Sequence, residues 1–322
     1  MSRVALIATG GTISMDLDPV TGKAVPSLDG KQLLATIPKR LLPCEVDVID
    51  YGRIGGAQLT PNHFREIAKR IESLEAVGSY DGYVVVQGTD VMEETAYLLD
   101  LLLDLQAPVA VTGAMRHAGE AGPDGAANLL QAIVVAGSRA ARGKGVLVVL
   151  ANEIYAAMDA VKTHSFHVKA FDAPGKGPIG AILNDRVVFF YQPLLRRHCK
   201  PDHLDARVFI VKCGIGENLD DLPLAKYDGF VIEGTGVGNG QVWMEEWIAR
   251  QHAAGKPVVI TSRCQGGWVD SVYGYPGSVS KLAAAGAILG HGLNAVKARI
   301  QLIAILGETR DLKRIEQFFE WM

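Results

Sequence analysis

The chain has 322 residues, 48% hydrophobic and 21% charged, a globular balance with room for one large domain or two. A formal net charge of -3 leaves no basic footprint for nucleic acid. No apolar run reaches the roughly 18 residues that suggest a membrane span. The first apolar run is too short for a signal-peptide core and no cleavage region follows it, so a cytoplasmic location is expected. The cysteines (Cys44, Cys199, Cys213 and Cys264) are dispersed, with no Cys-x-x-Cys pair. Reduced thiols are expected, and a structural zinc site is not.

Residues 4–9 read as a buried strand, and Gly10-Gly11-Thr12 follows at once. Residues 15–26 are rich in Asp, Pro and Gly and carry no clear pattern; they fit a lid over a site or a plain surface loop. A helical pattern covers 61–73. Residues 83–86, Tyr-Val-Val-Val, read as a strand buried on both faces, and Gly88 permits a sharp turn at its end. Asp90 and Glu93 have capping-box spacing, which predicts a helix starting there and running through 91–105. Strands are expected at 108–112 and 145–150, with a helix at 125–136 between them. The polar stretch 191–206, with two prolines and two histidines, reads as a linker between an N-terminal domain, 1–190, and a smaller C-terminal one, 207–322. Beyond it come strands at 207–211, 229–232 and 257–261 and a helix at 241–254. This alternation predicts an α/β fold with right-handed crossovers and a mainly parallel sheet.

Two strand ends therefore each present glycine then threonine: Gly11-Thr12 and Gly88-Thr89. Ligands of open α/β sheets bind at that edge. Either turn alone is commonly just a threonine that caps a helix or fills a turn. Two hydroxyls on rigid supports suggest nucleophilic acyl chemistry, which also needs a base. Lys162, just past the strand at 145–150, becomes a proton shuttle if buried beside Asp90, and otherwise reads as a solvated surface lysine. His164 and His167 have helix-face spacing but no partner at a recognised zinc spacing, and His198 and His203 read as solvent-exposed. The run Gly234-Thr235-Gly236-Val237-Gly238-Asn239-Gly240 misses the dinucleotide fingerprint because Asn239 stands where the third glycine belongs. It reads instead as close backbone approach at a domain or subunit contact.

Taken together the motifs resemble the bacterial-type L-asparaginase/glutaminase family. Ala8-Thr9-Gly10-Gly11-Thr12-Ile13 looks like its first signature, and Gln87-Gly88-Thr89-Asp90-Val91-Met92-Glu93-Glu94-Thr95-Ala96 like its second. Thr112-Gly113-Ala114-Met115-Arg116, Asp124-Gly125 with Asn128-Leu129, and Gly236-Val237-Gly238-Asn239-Gly240 follow in order. Each motif is modest alone; five in this order, spanning nearly the whole chain, are specific. The resemblance implies a larger N-terminal and a smaller C-terminal α/β domain in a homo-oligomer, a dimer or tetramer. It implies amide hydrolysis of a small molecule with no metal or organic cofactor. By position, Thr12 would be the nucleophile and Thr89, Asp90 and Lys162 the second hydroxyl–acid–base group. Backbone N–H groups near Thr89 and Ala114 would stabilise the oxyanion. Gly11, Gly88, Ala114 and Met115 would line the substrate.

Three departures stand beside the matches. The family carries a tyrosine in the loop after the first threonine; this chain has none between Thr12 and Tyr51. The family places a serine and a polar neighbour where Gly56 and Ala57 align, and neither residue offers a side-chain hydrogen bond. Arg53 and Gln58 remain to hold a carboxylate or amide. Asparagine-specific members bring a glutamate from a neighbouring C-terminal domain. Here 247–307 contains no glutamate, and Asp270, Tyr273, Tyr275 and Asn239 are the cross-subunit candidates. The expected function is an asparaginase-type hydrolase acting on asparagine or on a related carbonyl compound such as a cyclic amide, imide or thioamide. A non-catalytic small-molecule-binding protein on the same scaffold is the alternative.

Overall fold

After Arg3 the first strand is a continuous apolar run, and all its remaining residues are buried. In the computed structural model, which describes residues 2–18, 21–193, 196–216 and 224–320, the chain divides into units Met1–His198 and Cys199–Met322. The division falls inside the 191–206 stretch. The start of that stretch is tied down, because Arg196 reaches the buried Asp100 carboxylate at 3.0 Å.

In chain order the N-terminal unit contains β1 (Arg3–Ala8), β2 (Met15–Leu17), β3 (Ala24–Pro26), α1 (Gly30–Ala35), β4 (Glu45–Asp50), α2 (Pro61–Val77), β5 (Gly82–Val86), α3 (Met92–Leu102), β6 (Val109–Thr112), α4 (Gly125–Ala136) and β7 (Val146–Leu150). It continues with β8 (Glu153–Ala156), β9 (Val161–Lys162), β10 (Phe171–Asp172), β11 (Gly180–Leu183) and β12 (Arg186–Phe189). Among the described residues eight strands form one sheet in the order β12-β11-β8-β7-β6-β5-β1-β4. β4, β1, β5, β6 and β7 run parallel, while β8, β11 and β12 are added antiparallel. β5, β6 and β7 are buried along their whole length, as parallel strands covered on both faces should be. The chain steps outward from β1 to β4, then returns to build β5 on the opposite side of β1. That reversal creates a topological switch point between β1 and β5, where crevices open in such sheets.

The C-terminal unit has β13 (Val208–Lys212), β14 (Gly229–Gly234), α5 (Trp243–Ala253), β15 (Val258–Ser262), α6 (Val279–Ala284), β16 (Ile288–Leu289), α7 (Ala295–Leu306) and α8 (Leu312–Phe319). Its strands form a parallel sheet in sequence order. A separate core gathers Phe230, Ile232, Trp247, Ile248 and Ile260. No helix among the described residues is long and apolar enough to cross a membrane.

Four sequence expectations are corrected. The expected capping box is not formed: α3 begins at Met92 with Val91 as an uncapped N-cap, because the Asp90 carboxylate is engaged by Lys162 instead. The segment 15–26 is not patternless, since β2 and β3 pair antiparallel. His164 and His167 do not share a helix; they lie in the loop joining β9 to β10, where their rings meet edge-on at 5.6 Å. His198 is half-buried, with Nδ1 3.1 Å from the Asp100 carbonyl, whereas His203 is exposed.

Candidate active site

At the switch point the chain ends of β1, β4, β5 and β6 meet through backbone. The Thr9 N–H and hydroxyl both donate to the Val86 carbonyl, each at 2.9 Å, fixing the end of β1 to β5. The Ile54 N–H donates to the Thr9 carbonyl at 2.8 Å and brings in the loop after β4. Gly11 has φ 88° and ψ -175°, a conformation essentially closed to residues with a side chain. A β-carbon there would lie 2.1 Å from the Gly88 nitrogen. One at Gly88 would lie 3.0 Å from the Gly56 Cα and 3.4 Å from the Gly11 Cα. Three glycines from three loops thus pack backbone to backbone. The residue preceding Thr12 therefore touches the residue preceding Thr89.

Thr12 opens a short 3-10 turn, Thr12–Ser14, whose Ile13 and Ser14 are buried while Thr12 is half-buried. Its hydroxyl makes no hydrogen bond among the described residues. Thr89 is 4% exposed. Lys162, whose side chain is 15% exposed, donates through Nζ to Thr89 Oγ1 at 2.9 Å and to Asp90 Oδ1 at 2.8 Å. The strand carrying Lys162 is only two residues long, and Glu93 holds it by accepting the Lys162 N–H at 3.2 Å. Glu93 is thus a site-building residue, and sequence spacing pointed to a different role for it. The loop is stiffened by Gln87, whose amide donates to the Thr95 hydroxyl, which in turn donates to the Val91 carbonyl at 3.1 Å.

Gly56 is buried in the glycine contact, while Arg53, Ala57 and Gln58 are exposed on the same loop. A β-carbon at Gly56 would make only ordinary contacts, the nearest 3.5 Å away at the Gly88 Cα. Crowding therefore does not explain the absent side chain. Ala114 is fully buried and Met115 half-buried at the end of β6, next to Thr89, whose Cγ2 would be 3.1 Å from a β-carbon at Gly113. Tyr51 is committed elsewhere. Its hydroxyl donates to Glu66 at 2.6 Å, and burial, reinforced by that carboxylate, pushes its pKa above the ordinary phenol value. It is a poor base for Thr12.

The remaining candidates belong to the C-terminal unit. Asn239 is buried there, its side-chain oxygen accepting the Val279 N–H at 3.2 Å. The glycine run around it folds on itself, with Thr235 and Asn239 forming a bridge and a β-carbon at Gly234 falling 2.4 Å from the Gly238 oxygen. Asp270, Tyr273 and Tyr275 are exposed on the loop between β15 and α6, the two tyrosine rings 5.6 Å apart. Among the described residues, no three or more His, Cys, Asp or Glu side chains gather as a metal site.

Comparison with known proteins covers nearly the whole chain. Residues 3–195 match the family profile "Asparaginase, N-terminal" and residues 207–319 match "Glutaminase/Asparaginase C-terminal domain". A probable L-asparaginase of Deinococcus radiodurans is 37% identical, over 98% of this chain and 97% of the relative. An L-asparaginase of Bacillus licheniformis is 35% identical, over 96% of this chain and 97% of the relative. The crystal structure of a probable cytoplasmic L-asparaginase from Campylobacter jejuni superposes with a TM-score of 0.86 at 29% identity, covering 99% of both chains.

Proposed function

Since the chain belongs to the asparaginase family of amidohydrolases, which act on C–N bonds other than peptide bonds, we propose that it hydrolyses a side-chain amide with Thr12 as nucleophile. The observation that carries this reading is Lys162 Nζ at 2.9 Å from Thr89 Oγ1 and 2.8 Å from Asp90 Oδ1, with Gly11 against Gly88. Attack by Thr12 Oγ1 on the amide carbon releases one proton, and expulsion of the amide nitrogen as ammonia consumes one. Because Lys162 donates to the Thr89 oxygen, the hydroxyl proton of Thr89 is free to move to the leaving nitrogen, with a Lys162 proton replacing it; the proton given up by Thr12 passes to the resulting Lys162 amine and restores the ammonium, which Asp90 holds in place. Water then hydrolyses the acyl-threonine ester and regenerates Thr12.

Asparagine is the substrate the relatives' names suggest. A second reading rests on Gly56 and Ala57, which offer no side-chain donor to an amino-acid head group. A site without those partners discriminates weakly in favour of asparagine and suits a cyclic amide, imide or thioamide, with Arg53 and Gln58 as the available polar contacts. We further propose a dimer or tetramer in which Asp270, Tyr273 or Tyr275 approaches a neighbouring site. A cytoplasmic location is proposed by analogy with the Campylobacter protein.

The test is ammonia release from asparagine, glutamine and a panel of cyclic amides, in the wild type and in Thr12→Ala and Thr89→Val. Both variants should lose most turnover and keep the wild-type melting temperature. Near-full activity in both would refute the nucleophile assignment. A wild type inert on every amide would favour the non-catalytic binding protein.

A further inference from the structure

The β5–β6 ladder stops short. Its last rung among the described residues is the Gln87 N–H to the Thr112 carbonyl, 3.0 Å. One step on, Ala114 is 0% exposed, yet neither its N–H nor its C=O has a hydrogen-bond partner among the described residues. Buried main-chain groups are seldom left unpaired, because their desolvation is then uncompensated. The peptide groups on either side are held firmly. Asn128, 2% exposed on α4, donates Nδ2 to the Gly113 carbonyl at 3.0 Å and accepts the Ala151 N–H, at the end of β7, at 3.1 Å. Asp124 accepts the Met115 N–H at 3.1 Å and the Arg116 N–H at 2.9 Å, and also the Asn128 amide at 3.0 Å.

The C=O and N–H of a trans peptide point in opposite directions. With the Gly113 carbonyl drawn toward Asn128, the Ala114 N–H points the other way. With the Met115 N–H drawn toward Asp124, the Ala114 carbonyl does the same. Asn128 reaches across to β7, so the Ala114 pair faces the β5 side, where Thr89 lies. A primary amide offers the matching acceptor and donor.

Resting on the hydrolase reading above, we propose that Asn128 and Asp124 are positioning residues that aim the main chain of Ala114 into the site as a donor–acceptor pair for the substrate amide. Neither side chain takes part in bond making. Together they hold the geometry that transition-state stabilisation requires.

The experiment combines kinetics and crystallography on Asn128→Leu, which keeps the branched shape but removes all three side-chain hydrogen bonds. A milder variant, Asp124→Asn, covers the case in which the first does not fold. The Gly113–Ala114 peptide should rotate in the crystal structure of Asn128→Leu, and kcat should fall by about tenfold to a hundredfold with KM changed less than about threefold. Asp124→Asn should show the same pattern at smaller amplitude. An unrotated peptide, a rotated peptide with wild-type kcat, or a loss confined to melting temperature each overturns the proposal. Failure of the underlying hydrolase reading is recognised separately, as a wild type that releases no ammonia from any amide, and it takes this proposal with it.

Discussion

Gly56→Ser offers the sharpest test of substrate choice, because the structure predicts a gain rather than a loss. A β-carbon at position 56 would sit 3.5 Å from the Gly88 Cα, 3.6 Å from the Gly88 carbonyl carbon and 3.7 Å from the Asp90 Cβ, all ordinary van der Waals separations. The backbone there is not in the left-handed region, so a side chain adds no strain. Replacing glycine in a tolerant conformation also costs the unfolded chain entropy, a small stabilising effect of about 0.4–1 kcal/mol. The serine hydroxyl would restore the side-chain donor that the family resemblance places at this position, within reach of the charged head group of asparagine on the proposed reading. A hydrogen bond to a charged group is worth about 1.5–3 kcal/mol, and each 1.4 kcal/mol is about tenfold. The kcat/KM for asparagine should therefore rise about tenfold to a hundredfold, mostly through KM, with the melting temperature unchanged or slightly higher. Steady-state ammonia release at pH 7 reads this directly. A folded variant whose kcat/KM for asparagine stays within twofold of wild type would show that the missing hydroxyl does not limit asparagine binding.

Other outcomes follow from the same contacts. Lys162→Met should lower kcat by about 100-fold to 10,000-fold, and retained turnover would remove Lys162 from the proton route. Among the thiols, burial and then Asp81 push Cys44 up to about 11, and burial and then Glu308 push Cys199 up to about 12, whereas Cys264 is exposed. At pH 8 only about a thousandth of Cys44 is thiolate, so iodoacetamide with peptide mapping should find Cys264 alkylated first. The Cys44 rate should climb about tenfold per pH unit between 8 and 10. Equal rates at Cys44 and Cys264 would contradict the burial argument.

What sequence could and could not reveal divides along physical lines. β5, β6 and β7 were legible because a strand covered on both faces is an unbroken apolar run. β4 was not, since it is an edge strand, half-buried between exposed ends, with Asp47 interrupting its apolar residues. α7 was missed for the opposite reason: buried on nearly every side, it shows no polar face and hence no helical period. In the site, the two Gly-Thr turns stood out because strand, glycine and hydroxyl adjoin in sequence. Lys162 did not, because its surroundings are assembled from residues far away in the chain, Glu93 being 69 positions distant. Only the family resemblance favoured its proton-transfer role over a solvated surface lysine. Asp124 and Asn128 were visible as a motif without a role, because an effect exerted on another residue's peptide group leaves no local signal.

The glycine contact explains why so little of this site depends on side chains. A reacting group must be held within about half an ångström of its productive position, and long side chains pay rotamer entropy to achieve that. Here the precision comes from main chain. Gly11 is locked against the Gly88 nitrogen, Gly88 against Gly56, and Gly113 against Thr89. Each threonine is then one short side chain away from a fixed backbone. The long side chain in the group, Lys162, is fixed at both ends, its N–H by Glu93 and its Nζ by Thr89 and Asp90. The chemistry is thus set by where the strands end. The surrounding loop residues, Arg53, Ala57 and Gln58, are exposed and can change without disturbing it. On the proposed reading, substrate range can therefore drift on this scaffold while the acyl-transfer geometry stays in place.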